Sequence, residues 1–311
     1  MTKPSVGLLI LTYNHAPFVK ECIESVLAQN VEFTFKIHIA DDASTDGTVE
    51  ILKSYSILHP DKINLHLSSV NRGAKTNFFE GYRKLEGYDY VSLIDGDDFW
   101  CNPEKLQLQI AFLEKNPKFV AATHNTILKF DKSQKPNETL IKTLPNQICT
   151  VLDLISGAAY FHTSSIVCRN IFNGHLPSSQ LHPLTGDWFL SILYAEHGDF
   201  YYFDEPMSTY RIHASGDWGK LSLIQQTMKN VDAMVTYDRL LEFRYSHQFT
   251  RIWWACDSLI PMLIENNAPW IVRFKYYCLQ KSINVTANQF FIKKRFFGLM
   301  YKIIYHLIEV Y

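Results

Sequence analysis

The chain has 311 residues, 47% hydrophobic and 20% charged, with a formal net charge of −1. That is enough for one large or two modest domains with a real core, and it supplies no global pull toward nucleic acid. The longest apolar runs fall short of the ~18 residues of a membrane span, and Val6–Leu11 is too short for a signal-peptide core. The six cysteines are scattered without metal-ligand spacing, which suits reduced thiols in a cytoplasmic protein.

In chain order, Val6–Leu11 reads as a buried strand, and the polar loop Thr12-Tyr13-Asn14-His15 leads into a helix over about 17–29. A second apolar run, Phe35–Ala40, stops at Asp41-Asp42-Ala43-Ser44-Thr45-Asp46-Gly47, where Asp46 or Gly47 can cap the next helix. A short strand, Ile63–Leu67, is followed by the turn Asn71-Arg72-Gly73-Ala74 and a helix over about 75–85. The fourth strand, Tyr88–Ile94, runs into Asp95-Gly96-Asp97-Asp98; Asn102 and Pro103 then open a helix to about Lys115. Phe119–Phe130 reads as another strand and 131–147 as an irregular excursion. Thr163–Arg169 reads as a short strand, Gly186-Asp187-Trp188 begins a helix, and Phe200–Phe203 with Met207–Ile212 form a strand pair. From Leu221 the pattern is helical.

Alternating strands and helices over the first ~130 residues predict an α/β fold with a doubly wound, mostly parallel sheet. Polar clusters follow the strand ends each time, at 12–14, 41–46, 71–75 and 95–98, and so gather at one sheet edge, where such folds bind ligands. Three carboxylates within four residues repel one another, and a divalent cation with oxygen ligands would hold them ionised. A solvated acidic turn capping a helix is the plainer reading, but Phe99 and Trp100 directly after it do not suit one.

Val6–Asn14, then Asp41–Thr48, then Asp95-Gly96-Asp97-Asp98 resemble the family-two inverting glycosyltransferases of GT-A fold. Gly186-Asp187-Trp188 and Tyr210-Arg211-Ile212-His213 resemble later motifs of bacterial members that build surface polysaccharides, so that the likeness spans about 5–215. It implies a catalytic domain over 1–215 and a helical extension over 216–311. Asp42 would hydrogen-bond the nucleobase, with Tyr13 packing on it and Thr12 and Asn14 shaping the pocket. Asp95 and Asp97 would form the Asp-x-Asp pair on ribose and metal, Mg2+ or Mn2+, with Asp98 a second candidate ligand. His213 would be a late metal ligand, although a lone histidine is more often structural. Asp187 would be the catalytic base, where Gly-Asp before a helix would otherwise read as a cap. Arg72 or Lys75 would either contact the phosphates or be a solvated helix end. Ala43 stands where the family commonly has glycine.

The expected activity is transfer of a sugar from a nucleotide-sugar donor, UDP- or dTDP-linked by the pyrimidine fit of Asp42, to a hydroxyl of a glycan or lipid-linked saccharide acceptor. A nucleotidyltransferase is the alternative, but the loop after the first strand lacks the glycines it would need. An inactive binding module is another, but all five key aspartates are present. From Arg273 on, seven Lys or Arg stand against one Glu, interleaved with aromatic residues. That pattern suits peripheral contact with the anionic inner face of the cytoplasmic membrane, or a helical extension packing its aromatic stripe.

Overall fold

The computed structural model describes residues 3–130, 136–140, 144, 146–157, 159–213, 216, 221–268, 270, 272–273 and 276–277. The basic stretch after Arg273 lies almost wholly outside these described residues. The chain forms two compact units, Met1–Ala214 and Ser215–Tyr311.

The first unit is built on β1 (Ser5–Thr12), α1 (Val19–Leu27), β2 (Thr34–Asp41), α2 (Thr48–Leu58), β3 (Ile63–Leu67), α3 (Ala74–Tyr82) and β4 (Tyr90–Asp95). Then come β5 (Phe99–Trp100), α4 (Lys105–Lys115), β6 (Phe119–Phe130), β7 (Glu138–Thr139), β8 (Ile148–Cys149), α5 (Val151–Ser156), β9 (Val167–Arg169), α6 (Asp187–Ala195) and β10 (Asp199–Ile212). The sheet order is β3-β2-β1-β4-β9-β6-β10-β5, with β7 beside β6 and β8 beside β10. Strands β3, β2, β1 and β4 run parallel, as do β6 and β10, while β9 runs antiparallel between β4 and β6. The doubly wound, mainly parallel sheet expected from the alternation is therefore present, curled, with helices on both faces.

On one face Val6, Leu8 and Ile10 of β1 pack with Val19, Cys22, Ile23 and Val26 of α1 and Leu106, Ile110 and Leu113 of α4 in a single buried core. Removing this apolar area from water is the main favourable contribution to folding. On the other face α3 lies close on β1, because Gly81 presents no side chain: a Cβ there would sit 2.7 Å from Leu9. The hydroxyls of Tyr82 (α3) and Tyr194 (α6) bond to each other and tie these two helices together.

Three local differences from the sequence expectations matter for the site. Thr163–Ser165 is a 3-10 turn, and only Val167–Arg169 is strand. The expected strand pair at 200–212 is one strand, β10, with register irregularities against β6 on either side of Pro206. Pro206 cannot donate to a ladder, and a bulge accommodates it without breaking the strand. Helix α5 opens with a capping box at Thr150 and Asp153, and periodicity over its six residues is too short to show in the sequence.

In the second unit, α7 (Leu223–Leu240) opens with a Ser222–Gln225 capping box and α8 (Arg251–Glu265) carries Pro261 inside it. Among the described residues no helix is long and apolar enough to cross a membrane.

Candidate active site

The carboxyl ends of β1, β2 and β4 lie side by side, since Thr12 pairs with Asp41 and Leu11 with Asp95. The loops that follow them are fastened by backbone and side-chain hydrogen bonds. Thr12 Oγ1 donates to Asp41 Oδ2 at 2.7 Å, and Asp41 also accepts the Ser44 N–H at 2.9 Å. Asn14 Oδ1 accepts the Thr45 N–H at 2.9 Å, so the first two loops are stitched directly together. Asn14 and Ala43 both take left-handed backbone angles, φ 55° and φ 61°. Ala43 thus occupies a conformation that costs a residue with a Cβ about 1–2 kcal/mol, which is the physical reason glycine suits that position.

Asp42 lies next to the third loop. Its two oxygens accept the N–H groups of Arg72 and Gly73, each at 2.8 Å, and each keeps a second lone pair. The ring of Tyr13 is 46% exposed at the same edge. Arg72 directs its guanidinium to Glu80 at 2.6 Å. Lys75 reaches the carbonyl and hydroxyl of Thr185, two residues before Asp187, and burial lowers its pKa to about 8. The structure therefore places the Arg72 and Lys75 side chains on protein partners at the edge of the site.

The acidic turn depends on Gly96. A Cβ there would lie 2.6 Å from Thr12 Cγ2 and 2.9 Å from His15 Nδ1, so only glycine lets the turn close on the first loop. Pairing of β5 with Ser208 and Thr209 of β10 then brings Tyr210–His213 over the turn. Arg211 donates its backbone N–H to Asp98 Oδ1 at 3.0 Å and its guanidinium to the Asp97 carbonyl at 2.5 Å and to Glu21. His213 Nε2 lies 3.0 Å from Asp97 Oδ2, and His15 Nε2 lies 3.6 Å from the same oxygen. Asp98 is 1% exposed; its Oδ2 has no hydrogen-bond partner and faces His162 Nε2 at 3.6 Å.

This arrangement concentrates negative charge without enough donors. Burial raises the pKa of Asp95, and Asp97 and Asp187 add to the rise. Burial likewise raises Asp98 well above the carboxylate range, with Asp97 and Asp95 adding to it. A divalent cation in their midst would relieve that repulsion, and carboxylate with imidazole is a donor set such cations accept. The unpartnered Asp98 Oδ2 and the Asp97–His213 pair fit this group, although among the described residues no three His, Cys, Asp or Glu side chains already converge as a metal cage.

Asp187 is the first residue of α6, after the extended Gly186. Its Oδ1 accepts the Trp188 N–H at 2.8 Å, while Tyr160 Oη and Thr163 Oγ1 lie 3.1 and 3.2 Å from Oδ2. His15, Glu21, Tyr160, His162 and Thr163 belong to the same neighbourhood but have no motif of their own. Two of them were signalled: His15 by its place in the polar loop after β1, and Thr163 by the short strand expected near the site.

The sequence model of glycosyl transferase family 2 matches residues 8–176, more than half of the chain. An uncharacterized protein of Mycobacterium tuberculosis (strain H37Rv) is 28% identical over 213 residues, 68% of this chain and 60% of its own length. The dTDP-rhamnosyl transferase RfbG of Shigella flexneri is 38% identical over 93 residues, 29% of this chain and 32% of its own. The putative teichuronic acid biosynthesis glycosyltransferase TuaG of Bacillus subtilis is 32% identical over 111 residues, 36% of this chain and 42% of its own. The match to the mycobacterial protein thus leaves two fifths of that relative uncovered. S. aureus TarS 1-349 in complex with UDP-GlcNAc shares the fold, with TM-score 0.55 at 14% identity over 92% of each chain. So does the mannosyltransferase PcManGT of Pyrobaculum calidifontis in complex with GDP-Man and Mn2+, with TM-score 0.55 at 15% identity over 91% of this chain and 85% of that one. With the sheet, the loops at its carboxyl edge and the family match in agreement, this chain belongs to glycosyl transferase family 2, on a GT-A scaffold.

Proposed function

We propose that this protein is a metal-dependent inverting glycosyltransferase. It moves a sugar from a UDP- or dTDP-sugar to a hydroxyl of a glycan or lipid-linked saccharide, in the building of surface polysaccharide. The observation that carries this reading is that Asp187 lines one cavity with Ser92 and Leu93 of β4, the strand that ends in the Asp95–Asp98 turn. Support for the donor class comes from the names of RfbG and of the TarS complex, and for the polymer from that of TuaG.

Asp42, Tyr13, Thr12 and Asn14 would cradle the nucleoside, and Asp95 the ribose. Asp97, His213 and Asp98 would hold Mg2+ or Mn2+, as a relation to the Mn2+-containing PcManGT structure suggests. A divalent cation held there supplies positive charge for the departing diphosphate. Asp187 takes the proton of the acceptor hydroxyl as its oxygen attacks the anomeric carbon from the face opposite the leaving group. The catalytic parts all lie within 1–215, and 216–311 form the extension.

Asp187→Asn keeps the shape of the side chain and removes its basicity. Donor binding should survive while transfer falls about 10²-fold or more. Parental transfer by this variant, or a product that retains the donor's anomeric configuration, would refute the reading.

A further inference from the structure

The loop before the 3-10 turn contributes two hydroxyls to a single oxygen of Asp187. Tyr160 Oη donates to Oδ2 at 3.1 Å, and Thr163 Oγ1 donates to it at 3.2 Å. The loop is anchored from several elements. Ser165 Oγ donates to the His162 carbonyl at 2.7 Å and pairs with Thr123 Oγ1 at 2.8 Å; Ser164 Oγ donates to Ser208 Oγ at 2.9 Å. Trp100 Nε1 donates to the Ser164 carbonyl at 2.9 Å, and Gln109 Nε2 to that of Ser165 at 2.8 Å. Thr163 therefore stands on a fixed frame.

Tyr160 differs from its neighbours. Ala159 and Phe161 on either side are buried, yet Tyr160 is 40% exposed while its hydroxyl is tethered to the Asp187 carboxylate. A partly exposed aromatic ring beside a carboxylate offers two things at once. The negative face of the ring attracts the C–H groups of a pyranose, and the carboxylate accepts that sugar's hydroxyl. A phosphate or carboxylate acceptor would be repelled by Asp187, and an aromatic ring gives little purchase to a lone serine or threonine.

We propose that Tyr160 forms the acceptor side of the site: its ring is the platform for a neutral pyranose of the acceptor. The Tyr160 and Thr163 hydroxyls are positioning groups that hold Asp187 in one rotamer. This rests on the reading of Asp187 as base. In the transfer step the acceptor O–H proton passes to Asp187 and the new oxygen–carbon bond forms at the anomeric carbon. The anomeric carbon–oxygen bond to phosphate breaks, and its electron pair leaves with the nucleoside diphosphate. Fixing the Asp187 rotamer counts because an acceptor oxygen must meet both the base and the anomeric carbon within hydrogen-bonding and attack distance.

The test uses the full chain with Mn2+, a panel of UDP- and dTDP-sugars, and p-nitrophenyl glycosides of glucose, galactose and N-acetylglucosamine as acceptor probes. Nucleoside diphosphate release is followed against probe concentration. Tyr160→Phe keeps the ring, so the acceptor KM should stay within about threefold of the parent while kcat falls about fivefold or more; Thr163→Val should act in the same direction. Tyr160→Ala should raise the acceptor KM about tenfold or more, and Tyr160→Trp should restore it. UDP affinity should be parental in all four. A Tyr160→Ala enzyme with parental KM and kcat, beside an inactive Asp187→Asn, overturns this inference alone; a parental Asp187→Asn overturns the base with it. Where Tyr160→Ala does not fold, Tyr160→Leu takes its place. Where no probe is turned over, saturation-transfer NMR with UDP present decides. The parent should pass magnetisation to glycoside C–H protons and Tyr160→Ala should not; a parent that passes none to any glycoside contradicts the proposal.

Discussion

At the scale of single residues, the aspartates were legible because each follows an apolar run that stops abruptly, so that Asp42 and the Asp95–Asp98 turn had to lie at one edge. Their partners were not. Arg211 reaches Glu21 across 190 positions, and His162 faces Asp98 across a gap that no periodicity encodes. Such pairs follow from the pairing of β10 with β5, which is a tertiary fact. His38 is another residue whose setting only the fold reveals. Its Nδ1 lies 3.2 Å from His66 Nε2 and its Nε2 lies 3.0 Å from Tyr88 Oη. Burial first, then His66, Lys84 and Lys36, lowers its pKa to about 4. In the unfolded chain a histidine titrates near ~6.5, so the unfolded state takes up the proton first as pH falls. The stability that a neutral His38 contributes is complete above ~6.5 and is lost as pH falls through the folded value, on the order of 3 kcal/mol in all. Urea unfolding at pH 7 and pH 4.5 checks this: His38→Gln should lose less stability than the parent over that interval. Equal losses in the two proteins would show that His38 is not the titrating group.

At the scale of elements, strands β1 to β4 and the helices between them follow from local pattern alone, since buried parallel strands are continuous apolar runs and their crossovers carry helical spacing. The elements from 148 onward read less well. Asp204-Glu205-Pro206 resembles a turn between two strands, yet it is a bulged stretch of β10, because strand β6 offers a continuous partner that local sequence does not show. Thr163–Arg169 reads as one strand, yet Thr163–Ser165 turns, because hydrogen bonds from Trp100, Gln109 and Thr123 hold it. The acidic turn is the element most exposed to a single change. In Gly96→Ala the new methyl would meet Thr12 Cγ2 at 2.6 Å, and the Leu11 carbonyl lies 3.2 Å away. Overpacking of this kind costs about 1–3 kcal/mol. The variant should melt earlier in denaturant and bind UDP with Mn2+ about tenfold or more weakly, as the turn is pushed off the first loop. A variant with parental stability and affinity would mean that the close approach at Gly96 does not shape the site.

At the scale of the molecule, the family was legible because several motifs in order specify one edge of one sheet, each loop returning to the same place. The extension was legible only as helical, and its basic, aromatic-rich end lies outside the described residues. In the proposed reading the first unit as a whole would bring a nucleoside pocket, a cation site and a base within reach of one another. The claim beneath all else is that Asp97 makes nucleotide binding depend on a divalent metal. Calorimetric titration of UDP into the full chain, with Mn2+ and with chelator, measures this directly for the parent and for Asp97→Ala. The parent should bind about tenfold or more tightly with Mn2+, and the variant should bind with no dependence on the metal while keeping the parent's fold by circular dichroism. An Asp97→Ala protein that binds UDP with the parent's affinity and the parent's Mn2+ dependence would contradict the account.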